Sequence, residues 1–241
     1  MFEFLTSLSL WGTIVNTVTV IIGALFGLLI RRFSSGKKKE GRLSELPDAL
    51  MKGVGLCVML IGVKGAIKTT SEIIVIVSIV IGGVIGTLLS LETGITRLGE
   101  LIENKTQGKL GSITQGFVSA SLLFCVGAMA IVGSLNSGLT GNHEMLYTKS
   151  LLDMISAAIF ATTMGWGVVF SAVLVFLYQG SIALAASALA PVLSELAINE
   201  MAAVGSLIII ALSLNILGLT KIKVMNYVPA ILLPILLVLF I

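Results

Sequence analysis

Apolar residues in this chain gather into long runs, separated by short stretches that carry most of its charge. A bilayer core about 30 Å thick takes about 20 helical residues to cross. On that length scale the runs predict transmembrane helices at 12–31, 49–67, 72–91, 114–135, 150–165, 167–190, 198–218 and 226–241. The fifth and sixth come from one run, 150–193, that as a straight helix would be about 66 Å long. Gly165-Trp166-Gly167 is its natural turning point, the other reading being one span followed by a re-entrant segment. Pro229 and Pro234 interrupt the short last run. Beyond the third run, Leu91, Ile95, Leu98 and Ile102 recur at helical spacing with Glu92, Arg97, Glu100 and Lys105 on other faces, the pattern of an amphipathic helix lying on the membrane surface.

Composition agrees. Charged residues are 11% of the chain, against about 25% in soluble domains, and 56% are hydrophobic. Such a chain cannot cover its surface with polar groups, so the expected fold class is all-α: a polytopic membrane helix bundle whose main partner is the lipid bilayer. The first run is not a secretory signal, because Glu3 precedes it where basic residues belong and Arg31 and Arg32 follow it. The net charge of +3 sits between runs, which suits headgroup contact and orientation rather than nucleic-acid binding.

Basic residues set the orientation. The loops after the first, third and seventh runs hold Arg31, Arg32, Lys37, Lys38, Lys39 and Arg42; Arg97, Lys105 and Lys109; and Lys221 and Lys223. With eight spans these loops share one side, and removing a span would scatter them. The positive-inside rule makes that side cytoplasmic and puts both termini outside.

The first and last three runs share a weak pattern. Met51-Lys52-Gly53-Val54-Gly55 opens the second, and Met201-Ala202-Ala203-Val204-Gly205 opens the seventh. Gly23 in the first and Gly180 in the sixth fall in similar places. This predicts one membrane domain, 1–241, with inverted three-helix units at 8–91 and 166–241 joined by helices 114–165. Secondary transporters are often built this way, with the substrate near the midplane. Chance similarity among apolar helices is the competing reading.

Polar residues within the runs carry the candidate chemistry. Asn16 shares a stripe with Gly12, Thr19, Gly23 and Gly27, and either bonds a neighbouring helix or lines a polar cavity. Gln115 and Ser119 lie one turn apart, and Ser121 and Cys125 make a second face. Asp153 lies just inside its run, with Ser156 near the same stripe; it either couples to ions or protons or pairs in water with Lys149, four residues earlier. Gln179, beside Gly180 at mid-span, marks either a broken helix or an interhelical bond. Asn215 is similar but nearer the cytoplasmic end. The pairs Gly23/Gly27 and Gly82/Gly86 are helix-packing faces, which permit a homo-oligomer or are used within one chain.

Several classes drop out. No GxxxxGK[ST], HExxH or GxSxG motif occurs. Cys57 and Cys125 lie in apolar runs and His143, the one histidine, in a predicted loop, too few to bind a structural zinc ion. An enzyme is not expected, nor a metal or another cofactor.

Gly12 to Asn16, Ser119 to Ser134, Leu146 to Asp153 and Tyr178 to Ser181 together resemble a bacterial family of inner-membrane proteins catalogued as domain of unknown function 554, and the resemblance covers essentially the whole chain. It implies a bacterial cytoplasmic membrane and supplies no substrate. The residues themselves point to a small secondary transporter of an ion or small solute, lined by Asn16, Gln115, Ser119, Ser121, Asp153, Ser156, Gln179 and Asn215. The alternatives are a passive channel and a non-transporting assembly or sensor component.

Overall fold

The computed structural model describes residues 9–35, 46–94, 96–97, 113–126 and 128–239, and those residues are helical with no strand. The helices are α1 (Trp11–Ser35), α2 (Leu46–Ala66), α3 (Glu72–Leu88), α4 (Thr114–Cys125), α5 (Ala128–Thr140), α6 (Glu144–Met164), α7 (Gly167–Leu184), the short α8 (Ala186–Leu189) and α9 (Glu195–Ile216). A 3-10 helix (Val224–Ile231) and α10 (Leu233–Val238) close the chain. Most of the basic loop after α1 and the amphipathic segment beyond Arg97 lie outside the described residues.

Among the described residues, three helices are long and apolar enough to cross a membrane: Trp11–Arg32, Gly167–Leu184 and Glu195–Ile216. The bent pair Thr114–Cys125 and Met129–Thr140 has the length and composition of a fourth if it is taken as one broken span and not as a re-entrant loop. Glu72–Leu88 and Val224–Val238 are shorter and apolar. Ile22, Phe26 and Leu29 on α1, Ile76 and Val80 on α3 and Leu151, Ile155 and Ile159 on α6 are exposed. A surface this apolar is stable in lipid and would aggregate in water.

The run 150–193 turns where expected. Gly165 has φ +73°, a conformation that side chains disfavour, and it lies between the end of α6 and the start of α7. The run 114–135 differs from expectation: it is broken, not continuous. Val126 is extended (φ −84°, ψ 128°), and the helices on either side of it meet at 61°. The last run is not a regular span, because Pro229 lies in a 3-10 helix and Pro234 opens a short α-helix.

Glycines place the helices. A Cβ on Gly23 or Gly27 would run into the backbone carbonyl of Met154 or Ala158, so α1 lies parallel to α6 at backbone distance. Gly55 meets Leu217 and Gly62 meets Ile210, so α2 and α9 are antiparallel. Gly82 meets Ala230 and Gly86 meets Asn226, so α3 and the 3-10 helix are antiparallel too. Both GxxxG faces are thus used within one chain. Close backbone approach of this kind is how helices associate in lipid, where water exclusion contributes nothing. Phe124, Phe160, Val168, Val175, Ile208 and Ile209 fill the main core between α4, α6, α7 and α9.

Candidate functional site

Three helices meet at a buried polar cluster. Lys149 and Asp153 are one turn apart on α6, and the Lys149 ammonium donates to both carboxylate oxygens at 2.8 and 2.7 Å. Asn16, brought in by the close packing of α1 on α6, donates its amide to Asp153 Oδ2 at 3.0 Å and to Gln179 Oε1 on α7 at 3.3 Å. Asn16 and Gln179 are fully buried, and Asp153 and Lys149 are 6% and 7% exposed. Cys125, at the end of α4, is within electrostatic reach of both members of the ion pair.

Of the two readings of Asp153, the one that pairs it with Lys149 in water has the partner that the structure shows but not the surroundings. The pair forms, but out of water, because α1 and α5 pack against the start of α6, where a Cβ on Gly12 or Gly133 would run into Leu146, and α7 joins through Gln179. Removing two charges from water is costly, and such a pair persists only with good geometry and further hydrogen bonds. Here the geometry is bidentate, and Asn16 supplies a third donor.

The cluster is not fully satisfied. Asn16 Oδ1 and Gln179 Nε2 are buried without a partner. Several hydroxyls in the bundle share that state, those of Thr13, Ser78, Ser119, Ser121 and Ser134. Buried polar groups are nearly always hydrogen-bonded, so two orphans on side chains that bond each other call for an explanation. Neither amide can be turned to remove them. Reversing Asn16 would put its carbonyl against the carboxylate of Asp153.

A second group of candidates lines a cavity of about 420 Å³ at the end of the bundle where α1 finishes. Gln115 is exposed at its edge, and Ser119 and Asn215 contribute to its wall beside Glu92, Lys221 and Lys223. Asn215 also has a structural task. Its carbonyl accepts from the Ile222 amide and the Thr220 hydroxyl, and its amide donates to the Ile222 carbonyl, which closes the turn after α9. Ser121 is buried on α4. Ser156 is half-buried and makes no bond to the Asp153 cluster.

Two groups escaped the sequence reading. His143, expected in a loop, is buried at the N-cap of α6. Its Nδ1 lies 2.8 Å from Ser137 Oγ, which donates its own proton to the Ser9 carbonyl, so the imidazole Nδ1–H is the donor. Glu200 on α9 is fully buried and accepts from the amides of Thr70 and Ser71 and the hydroxyls of Thr69 and Thr70, tying α9 to the connection before α3. Among the described residues no three His, Cys, Asp or Glu side chains gather into a metal site.

An all-helical body with a lipid-suited surface and a charged cluster inside defines a membrane protein. The chain matches the protein family of unknown function DUF554 over residues 11–239 and belongs to it. It is 33% identical over 229 residues to YdfK of Bacillus subtilis, an uncharacterized membrane protein, covering 93% of this chain and 94% of that one. It is 28% identical over 228 residues to YqgA of Escherichia coli, an uncharacterized protein, covering 92% and 93%. No solved structure matches the chain.

Proposed function

We propose that this chain is a small secondary transporter of the bacterial cytoplasmic membrane, with eight spans, both termini outside and Asp153 as the coupling residue. The observation that carries the reading is the buried Lys149–Asp153–Asn16–Gln179 cluster with unmet hydrogen-bonding capacity. Ionisable groups inside a membrane protein usually lie on ion or solute pathways. In this reading α4 and α5 are one broken span and the 3-10 helix with α10 is the eighth. Irregular backbone at membrane depth is tolerated where it is buried in protein or lines a cavity.

The pairing of helices supports inverted repeats. In the proposed repeat the first span corresponds to the sixth, the second to the seventh and the third to the eighth. Each packs on its counterpart in the antiparallel sense: Asn16 and Thr13 of α1 meet Gln179 and Gly180 of α7, α2 meets α9, and α3 meets the 3-10 helix. The Asp153 cluster then lies where the first span meets its counterpart. The cavity beside Ser119 opens toward the cytoplasm in this orientation and leads to the same broken span.

The test is a thermal-shift screen of detergent-purified protein against ions and common metabolites, followed by flux of any hit in proteoliposomes. A ligand of the folded state raises apparent stability by mass action. Binding lost in Gln179→Ala, with flux and its pH dependence abolished in Asp153→Asn, is the expected result. Flux that keeps its rate and pH dependence in Asp153→Asn removes Asp153 from the coupling role.

A further inference from the structure

The unmet valences of the cluster are all on neutral groups. Asn16 Oδ1 offers an acceptor, Gln179 Nε2 offers donors, and the Thr13 hydroxyl offers either, all on residues that are fully buried. Thr13 is one turn before Asn16 on α1, and its methyl lies 3.9 Å from where a Cβ on Gly180 would stand, so it borders the same strip of α7. Ser134 joins them from α5. A Cβ on Gly138 would run into the Ala183 carbonyl. Because α6 returns between α5 and α7, those two run in the same direction. Ser134 and Gln179, each four residues earlier, are therefore level, and the Ser134 hydroxyl is buried without a partner.

The charges, by contrast, are already closed. Both oxygens of Asp153 receive the Lys149 ammonium, and Oδ2 also receives Asn16. A bare alkali cation would have to displace an ammonium that is tethered one turn away, and would face the N–H side of the Asn16 amide. An anion would find the positive charge that the described residues place there, Lys149, already engaged. A neutral solute meets neither obstacle, and Asn16 and Gln179, which bond each other, have a carbonyl and an amide N–H left to offer it.

Resting on the transporter reading, we infer that the solute is a small neutral molecule presenting a hydrogen-bond donor and acceptor along one edge, as a carboxamide, a urea or a pair of polyol hydroxyls does. The chain supplies its own cation in Lys149, so solute binding has no alkali-metal requirement. Small differences at such a site are discriminating, because a solute without the matching edge leaves buried groups unpaired.

The experiment is a binding titration of the full chain in detergent with acetamide, urea at millimolar concentration, glycerol and glutamine, each in sodium, potassium and choline chloride. Sodium phosphate and the chlorides alone are the charged probes. Thr13→Val and Gln179→Met, which keep size and remove the polar groups, are the variants, and Gly53→Ala, whose Cβ finds nothing within 4 Å, is the control. The expected result is a thermal shift with at least one neutral probe. Its apparent Kd changes less than about twofold among the three salts and weakens about tenfold in each variant but not in the control. A shift produced by an alkali cation or by phosphate, and lost in Asp153→Asn, overturns the neutral-solute inference and leaves the transporter reading standing. No shift with any probe overturns both. Binding of a neutral probe that Thr13→Val and Gln179→Met leave unchanged places the site elsewhere and overturns the inference.

Discussion

Lys149→Met, Asp153→Asn and the double variant test whether the ion pair is closed and dry. Its side chains are 9% and 8% exposed, and both carboxylate oxygens are engaged. Removing one partner of such a pair costs roughly 3–5 kcal/mol, because the other charge is left buried and alone. Replacing both by neutral groups of similar size costs far less. In a chain of this length each kcal/mol moves the melting temperature by roughly 2–4 °C, so Lys149→Met should melt roughly 10 °C lower. Asp153→Asn should be milder. It keeps an acceptor for Asn16, and the freed lysine can extend its four-carbon stem toward the nearby exposed start of α6. The double variant should recover most of the loss, giving a coupling energy of about 2 kcal/mol or more in the double-mutant cycle. The assay is tryptophan fluorescence melting in one detergent, reporting from Trp11 and Trp166. Additive effects, or single variants that melt within about 2 °C of the natural chain, would refute the closed pair. A double variant that is stable and inactive would separate the role of the pair in function from its role in folding.

Gly23→Ala and Gly27→Ala should each destabilise by roughly 1–3 kcal/mol, since the new methyl meets a backbone carbonyl that cannot rotate away and α1 must lift from α6. Gly53→Ala, whose Cβ finds nothing within 4 Å, should be neutral or slightly stabilising in the same melts. Glu200→Ala should cost roughly 2–3 kcal/mol by orphaning the Thr70 and Ser71 amides, and Glu200→Gln should restore part of it through its one carbonyl oxygen. Equal melts for Ala and Gln would show that those amides find other partners.

Apolar run length located the helices, and Gly165-Trp166-Gly167 located the turn between α6 and α7, because a positive-φ glycine between two runs is a local signal. Asn16, Asp153 and Gln179 stood out because polar groups in lipid-length runs are conspicuous. That they meet was not legible, since contact between α1, α6 and α7 depends on which faces pack. Whether Lys149 meets Asp153 in water or under protein stayed open for the same reason. Near the end of a run, a lysine in water and a lysine covered by three helices read alike. The hydroxyls were legible least of all. Thr17 and Ser150 bond their own helix carbonyls, the ordinary habit, while Thr13, Ser119, Ser121 and Ser134 do not, and nothing in composition separates the two sets. Glu200 lay inside a predicted span and drew no notice, because its partners come from a connection 130 residues away.

The break at Val126 shows most clearly where sequence reasoning stops. Cys125-Val126-Gly127-Ala128 continues an apolar run without proline, so local propensity gives little reason to interrupt it. A helix end leaves carbonyls and amides without helical partners, and in lipid those groups must be met by protein or a cavity. Here α9 comes close enough at Gly205 that a Cβ there would run into the Val126 side chain, so packing against α9 bears on the break. Cys125, the last residue of α4, is also within electrostatic reach of Lys149 and Asp153. Irregular backbone and the buried ion pair therefore lie in the same part of the bundle. Each is costly in a membrane, and placed together they can share the same polar surroundings. A chain selected only for stability would gain by straightening the one and neutralising the other, and this cost is the physical reason to place function there.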